Sequence, residues 1–334
     1  MPHPPSPTSP LPFLRGGPAD GATGSRLTEA LRSKLPHDTW DTAQVPAGLR
    51  LELVSHAEAV VLGLRTGERH VLAAPTMADA VTVWRGAERL AAVPVAKGDT
   101  AVVVPLRADG ERHTLHLPEA LRAYPVSLVP VGGTIAAAPA QPRWLAYGDS
   151  ITQGWSATDP GLTYPAVTAR RLGLDVWNLG FAGAARGEIG AALQIAGLEA
   201  DLITLAFGTN NWSALPTGPA HLAGLLSDFV AVVRSGHPET PVAVLSPILR
   251  PEAEDTANVV GATLAELRAA FEAEARRLAA ADPLLRLVEG LPLVAEGRLA
   301  DGIHPDDDGH RAMADALTPV LAELGEPTIR KVTP

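Results

Sequence analysis

The chain has 334 residues, 46% of them hydrophobic, with no cysteine and 37 acidic against 27 basic side chains, a net charge of −10. That length suits one large or two ordinary domains, and the apolar share supports a sizeable core. The missing cysteines exclude disulfides, thiolate metal sites and a thiol nucleophile. The acidic balance disfavours a nucleic-acid partner, and no run approaches the ~20 apolar residues of a membrane helix.

Residues 1–24 are rich in Pro, Ser and Gly and read as a flexible tail. They show neither the cationic start nor the apolar centre of a secretory leader, so a cytoplasmic location is expected. Ser25 then opens a short helix carrying Leu27, Leu31 and Leu35, which Pro36 ends. From Trp40 to Ile135 short alternating runs follow: Leu51–Val54, Val60–Leu64, Ala80–Trp84, Thr100–Leu106 and Thr114–Leu117. Breaks such as Arg65-Thr66-Gly67-Glu68 and Ala108-Asp109-Gly110 separate them, the pattern of a β-sandwich. Ala136–Pro142 reads as a linker.

Beyond it strands and helices alternate. The strands are Trp144–Tyr147, Leu174–Asn178, Leu202–Phe207, Val242–Leu245 and Leu285–Val288. The helices are Tyr164–Leu172, Glu188–Leu198, His221–Arg234, Leu264–Ala280 and Arg311–Leu324. Such alternation predicts a parallel sheet covered on both faces. The expected organisation is a tail over 1–24, a sandwich over 25–140, an α/β unit over 141–326 and a short tail over 327–334.

Four segments of the α/β unit carry chemistry. Gly148-Asp149-Ser150-Ile151-Thr152 follows the first strand, placing a serine at a strand-to-helix turn on the carboxyl edge of the sheet. Asn178-Leu179-Gly180-Phe181-Ala182-Gly183 follows the second, where Gly180 permits close approach and offers its N–H. Gly208-Thr209-Asn210-Asn211 follows the third, and Asp301-Gly302-Ile303-His304-Pro305 precedes the last helix. Each segment alone is also ordinary turn or cap chemistry. Together they supply the different parts of an acyl-transfer site along one edge.

Over residues 143–325 the chain resembles the SGNH (GDSL-type) hydrolases, whose four signature blocks match at Ser150, Gly180, Asn210 and His304, with Asp301 three residues before the histidine. The resemblance implies a flavodoxin-like parallel five-stranded sheet flanked by helices. The preceding sandwich, jelly-roll-like, is similar to the architecture of carbohydrate esterase family 2. Asn211 departs from the aspartate that many members carry there. The implied roles are Ser150 as nucleophile, His304 as base and Asp301 as its orienting partner. The N–H groups of Ser150 and Gly180 and the amide of Asn210 would form the oxyanion hole. Such a site requires no metal or organic cofactor. The expected activity is hydrolysis of a small acyl ester, an acetyl ester of a sugar or metabolite, with an acyltransferase or a non-catalytic carbohydrate-binding protein as alternatives.

Asp149, Trp155, Asn211, Trp212 and Arg250 are further candidates for substrate contact, since all lie beside these blocks or on the same rim. Arg186 shares that rim. Trp144 and Trp177 sit on strands and are expected in the core. His304, His310 and the aspartates at 306–308 form a possible metal cluster, but consecutive carboxylates diverge, which disfavours it. His310 is expected on the surface of the last helix. His113 and His116, three apart on a strand, are expected on opposite faces of the sandwich.

Overall fold

The computed structural model describes residues 8–18 and 25–326. Among the described residues, nine strands build the first unit: β1 (Leu14–Arg15), β2 (Arg50–Ser55), β3 (Ala59–Thr66), β4 (Ala80–Arg85), β5 (Glu88–Pro94), β6 (Gly98–Pro105), β7 (Arg112–His116), β8 (Tyr124–Val131) and β9 (Ile135–Ala137). One antiparallel sheet runs β1-β2-β7-β4-β5, with β9 also on β2, and the other runs β6-β3-β8. Leu51, Leu53, Val83 and Leu115 of the first sheet meet Leu62, Val104 and Leu128 of the second in one apolar cluster. Alternation sends the intervening Arg50, Glu52, Thr114 and His116 to the opposite face. That face is buried too, because the second unit covers it.

The second unit contains β10 (Arg143–Gly148), β11 (Asp175–Gly180), β12 (Leu202–Ala206), β13 (Val242–Leu245) and β14 (Leu285–Val288) in the parallel order β11-β10-β12-β13-β14. Both faces are apolar, as burial on both sides requires. Leu145, Tyr147, Ile203 and Leu205 pack under α4 (Ile189–Ala196), α6 (Pro219–Gly236) and α8 (Leu264–Ala281). Trp144, Ala146, Leu202 and Leu245 pack under α3 (Tyr164–Leu172) and α9 (Asp307–Leu324). The remaining helices are short: α1 (His37–Ala43), α2 (Ser150–Gln153), α5 (Asn210–Ser213) and α7 (Pro251–Glu254). Among the described residues no helix is long and apolar enough to cross a membrane.

The N-terminal reading needs correction. Residues 1–7, 19–24 and 327–334 of the expected tails lie outside the described residues. Within the first tail, Phe13 is buried in the sandwich core and β1 pairs with β2, so apolar burial and a strand edge order this stretch. The helix expected from Ser25 is only a 3-10 turn over Glu29–Lys34, and Pro36 precedes α1 instead of merely ending a helix. Leu27, Leu35 and Ala43 belong to the α/β core, not to the sandwich. In the expected linker, Ile135–Ala137 is a strand on β2 and Ala138 is buried.

Arg26 ties this segment down. It is fully buried and donates to the carbonyls of Thr42, Val45, Asn178 and Gly180. Burial pulls its pKa down to about 9, with Glu119 acting in the other direction. Two of these acceptors, Asn178 and Gly180, lie on β11, an edge strand that among the described residues pairs on one side only, with β10, so their carbonyls are open to a guanidinium.

Candidate active site

The order β11-β10-β12 places β10 at the point where successive connections leave in opposite directions, so the loops after these strands open a crevice at the carboxyl edge. Ser150 is the first residue of α2 there. Asp149 caps that helix by accepting the Ile151 N–H at 2.9 Å. Gly154, at φ +103°, ends it after one turn. The Ser150 N–H, at the helix start, has no intrahelical acceptor.

His304 reaches Ser150 from the far end of the chain. Its Nε2 lies 2.8 Å from Ser150 Oγ, and its Nδ1 lies 2.7 Å from Asp301 Oδ2. Asp301 Oδ1 also accepts the N–H groups of Ile303 and His304 at 3.0 and 2.8 Å. Gly302 makes this turn at φ +80°, and a Leu299–Pro305 bridge closes its base. Burial lowers the His304 pKa, against the pull of Asp301 and with the help of Arg250. The imidazole is therefore neutral near pH 7, able to accept a proton at Nε2 while donating from Nδ1. Burial alone would raise the Asp301 carboxyl, but the hydrogen bonds from His304 and Ile303 hold it below its ordinary value.

The glycine of the second block is where the structure departs from expectation. Gly180 donates its N–H to Asn178 Oδ1 at 2.9 Å, so that donor is spent. It is a glycine for packing, since a Cβ there would lie 2.1 Å from the Gln153 backbone nitrogen. Gly183 is different. It is exposed at φ +71°, a Cβ would meet nothing within 4 Å, and among the described residues no acceptor takes its N–H. Asn178-x-Gly-x-x-Gly held both glycines, and only the three-dimensional turn distinguishes them. Gln153 braces this turn by accepting from Ala182 N and donating to the carbonyl of Leu72 in the sandwich. Asn210, first in α5, donates through Nδ2 to Ala185 O at 3.1 Å, leaving its second amide hydrogen uncommitted.

The substrate-contact candidates separate into two groups. Asp149 is buried as a cap, and burial raises its pKa to about 6. Asn211 is fully buried, donating to Arg186 O. Both are removed from contact because the turns that carry them use their side chains internally. Trp155 lies 5.7 Å from the His304 ring and is backed by Ala74, Met77 and Ala157. Trp212 lies under the Arg250 guanidinium at 4.6 Å. Arg250 donates to Ser213 Oγ, and its charge acts on both Asp301 and His304. Arg186 is held by Asp38 at 2.6 Å.

His310 is buried, not on the surface; its ring bridges Tyr164 N and Trp155 O, and burial lowers its pKa to about 4. The aspartates diverge: Asp306 caps α9, Asp307 binds Thr158 and Asp308 binds Arg298 and Arg311. Trp144 and Trp177 are buried on their strands.

The sequence profile of the GDSL-like lipase/acylhydrolase family matches residues 146–312, half of the chain. The chain belongs to this family. It is an SGNH-type serine hydrolase, and its activity is ester hydrolysis or acyl transfer. No functionally curated protein matches the sequence. Among solved structures, a protein described as a GDSL-like lipase from Bacteroides ovatus is 20% identical, with a TM-score of 0.80 over 96% of this chain and 98% of that one. The salicylyl-acyltransferase SsfX3 from a tetracycline biosynthetic pathway is 25% identical, with a TM-score of 0.81 over 96% and 97%. A family two carbohydrate esterase from Clostridium thermocellum, in complex with cellohexaose, is 15% identical, with a TM-score of 0.62 over 82% and 91%.

Proposed function

We propose that this SGNH enzyme acts through an acyl-enzyme on Ser150 and hydrolyses a small acyl ester, an acetyl ester of a sugar or metabolite. The observation that carries the reading is the hydrogen-bonded series Ser150–His304–Asp301 at 2.8 and 2.7 Å. Ser150 Oγ attacks the ester carbonyl while its proton passes to His304 Nε2. Asp301 keeps the proton on Nδ1 and stabilises the imidazolium that forms. The tetrahedral oxyanion is met by the N–H groups of Ser150 and Gly183 and the free amide hydrogen of Asn210. Its collapse breaks the bond to the alcohol, which leaves with the proton returned by His304. Water then adds to the acyl-enzyme by the same route and releases the acid. The chemistry uses side chains and backbone amides alone. A two-domain reading, with an accessory sandwich before residue 141 and the catalytic unit after it, belongs to the same proposal.

Hydrolysis of p-nitrophenyl acetate by the wild type and by Ser150→Ala tests the mechanism, and full activity in the variant would end it. The likeness to a salicylyl-acyltransferase favours one second reading, in which an acceptor alcohol replaces water. Product analysis with an added sugar acceptor separates the two, because a transferase forms a new ester and a hydrolase only free acid.

A further inference from the structure

A cleft of 270 Å³ lies between the sandwich and the α/β unit, open to solvent along one side. Neither Ser150, Asn210, Asp301 nor His304 lines it. Its polar wall is the outer face of the first sandwich sheet. Pairing puts Arg50, His116 and Thr82 in one row there and Glu52, Thr114 and Trp84 in the next. The opposite wall sets Arg170 of α3 among apolar neighbours, Pro165, Ala166 and Ala169 of the same helix with Leu174 and Val176.

Most charges around the cleft cancel. Arg50 donates to Glu52 at 2.7 Å and to Asp175 at 2.8 Å, and Arg112 pairs with Glu52 as well. Arg85 lies 2.5 Å from Asp109. Among the cations of the lining, Arg170 is the exception. Its guanidinium sits 4.5 Å over the Trp84 ring, and its buried Nη1 has no hydrogen-bond partner. The carboxylate whose charge acts on it, Asp159, is already occupied by Thr82, Trp84, Gly161 and Arg89. Beside it His116 is 3% exposed, and neither ring nitrogen has a partner. Burial, then the charges of Arg50 and Arg170, hold this imidazole neutral, so it presents one donor and one acceptor. Buried polar groups without partners are costly, and a charged one more so.

We propose that the cleft is a second ligand site, which takes a hydroxylated monocarboxylate of the sugar-acid class, its carboxylate on Arg170 and a hydroxyl on His116. One uncompensated guanidinium selects a single negative charge, and Glu111 in the same lining opposes a dianion. A neutral imidazole both gives and accepts, which matches a hydroxyl. The apolar part of the α3 wall suits the C–H face of a sugar ring. This site stands independently of the acyl-enzyme reading.

Calorimetric titration of the full chain with glucuronate, glucose and inorganic phosphate tests it. The expected result is one saturable site for glucuronate, with glucose and phosphate each at least about tenfold weaker. Arg170→Gln is expected to weaken glucuronate about tenfold and His116→Phe about threefold, while Ser150→Ala leaves it unchanged. The unfolding midpoint of ligand-free Arg170→Gln should equal or exceed that of the wild type, because the change removes a half-buried charge whose buried Nη1 has no hydrogen-bond partner. Four results would overturn the proposal: no saturation at millimolar glucuronate, phosphate binding as tightly, unchanged affinity in Arg170→Gln, or loss of binding in Ser150→Ala. A clear drop in that midpoint would make Arg170 structural and overturn it as well.

Discussion

His304 and His116 are both kept neutral by burial, yet they sit in opposite circumstances. At the carboxyl edge of the parallel sheet, both nitrogens of His304 are engaged, by Ser150 and Asp301. On the covered face of the antiparallel sheet, both nitrogens of His116 lack partners. The difference comes from how each sheet delivers side chains. Parallel strands end side by side, so loops distant in sequence converge on one edge, each with a free helix start or turn. An antiparallel face instead delivers rows of neighbours, and the polar groups in those rows pair with one another or wait for whatever covers them. Neutrality alone therefore does not make a base; geometry around the ring does.

Four measurements would break or sharpen that contrast. The largest effect is expected at the edge itself, where His304→Ala should lower kcat for p-nitrophenyl acetate by about 10⁴-fold or more, with the fold intact by circular dichroism. Next, Asn210→Ala removes one oxyanion donor and should reduce kcat by about 10²–10³-fold with a smaller change in KM, in steady-state assays. On the covered face, Arg50→Met takes the 2.8 Å partner from buried Asp175 and leaves Glu52 with Arg112 alone, and urea unfolding should register a loss of about 3–5 kcal/mol. The smallest effect is in the pH profile. Because the His304 pKa lies below the ordinary 6.5, its neutral form persists to lower pH. The acidic limb of kcat/KM should then have its midpoint below pH 6.5, and activity rises with pH through it. A midpoint above that value would mean that Asp301 outweighs burial.

Much of the site could be read directly. Ser150 and Asn210 stand in short segments at strand ends, which a strand-helix alternation already aligns, and Asp301 and His304 stand in one just before the last helix. The five strands of the α/β unit were legible because double-sided burial makes them near-continuous apolar runs. What escaped was set by contacts across long chain distances. Gly180 and Gly183 are both glycine, and only the Asn178 amide folding back on one of them spends its N–H. His310 looked exposed because it lies among aspartates in a helix start, yet Tyr164 and Trp155 cover it. Arg26 carried no local signal at all, since its acceptors at Asn178 and Gly180 lie more than 150 positions away. Exposed Val71 and buried Met77 share one sandwich loop, and only packing against Trp155 tells them apart.

The sequence by itself determined the order of elements, the sheet class and the chemical identity of the reactive groups, because periodicity and turn residues are local. The tertiary structure decided which donors remain free, which charges are cancelled and which polar faces are covered. Those properties depend on what lies across the gap, and the partners across it come from the other end of the chain.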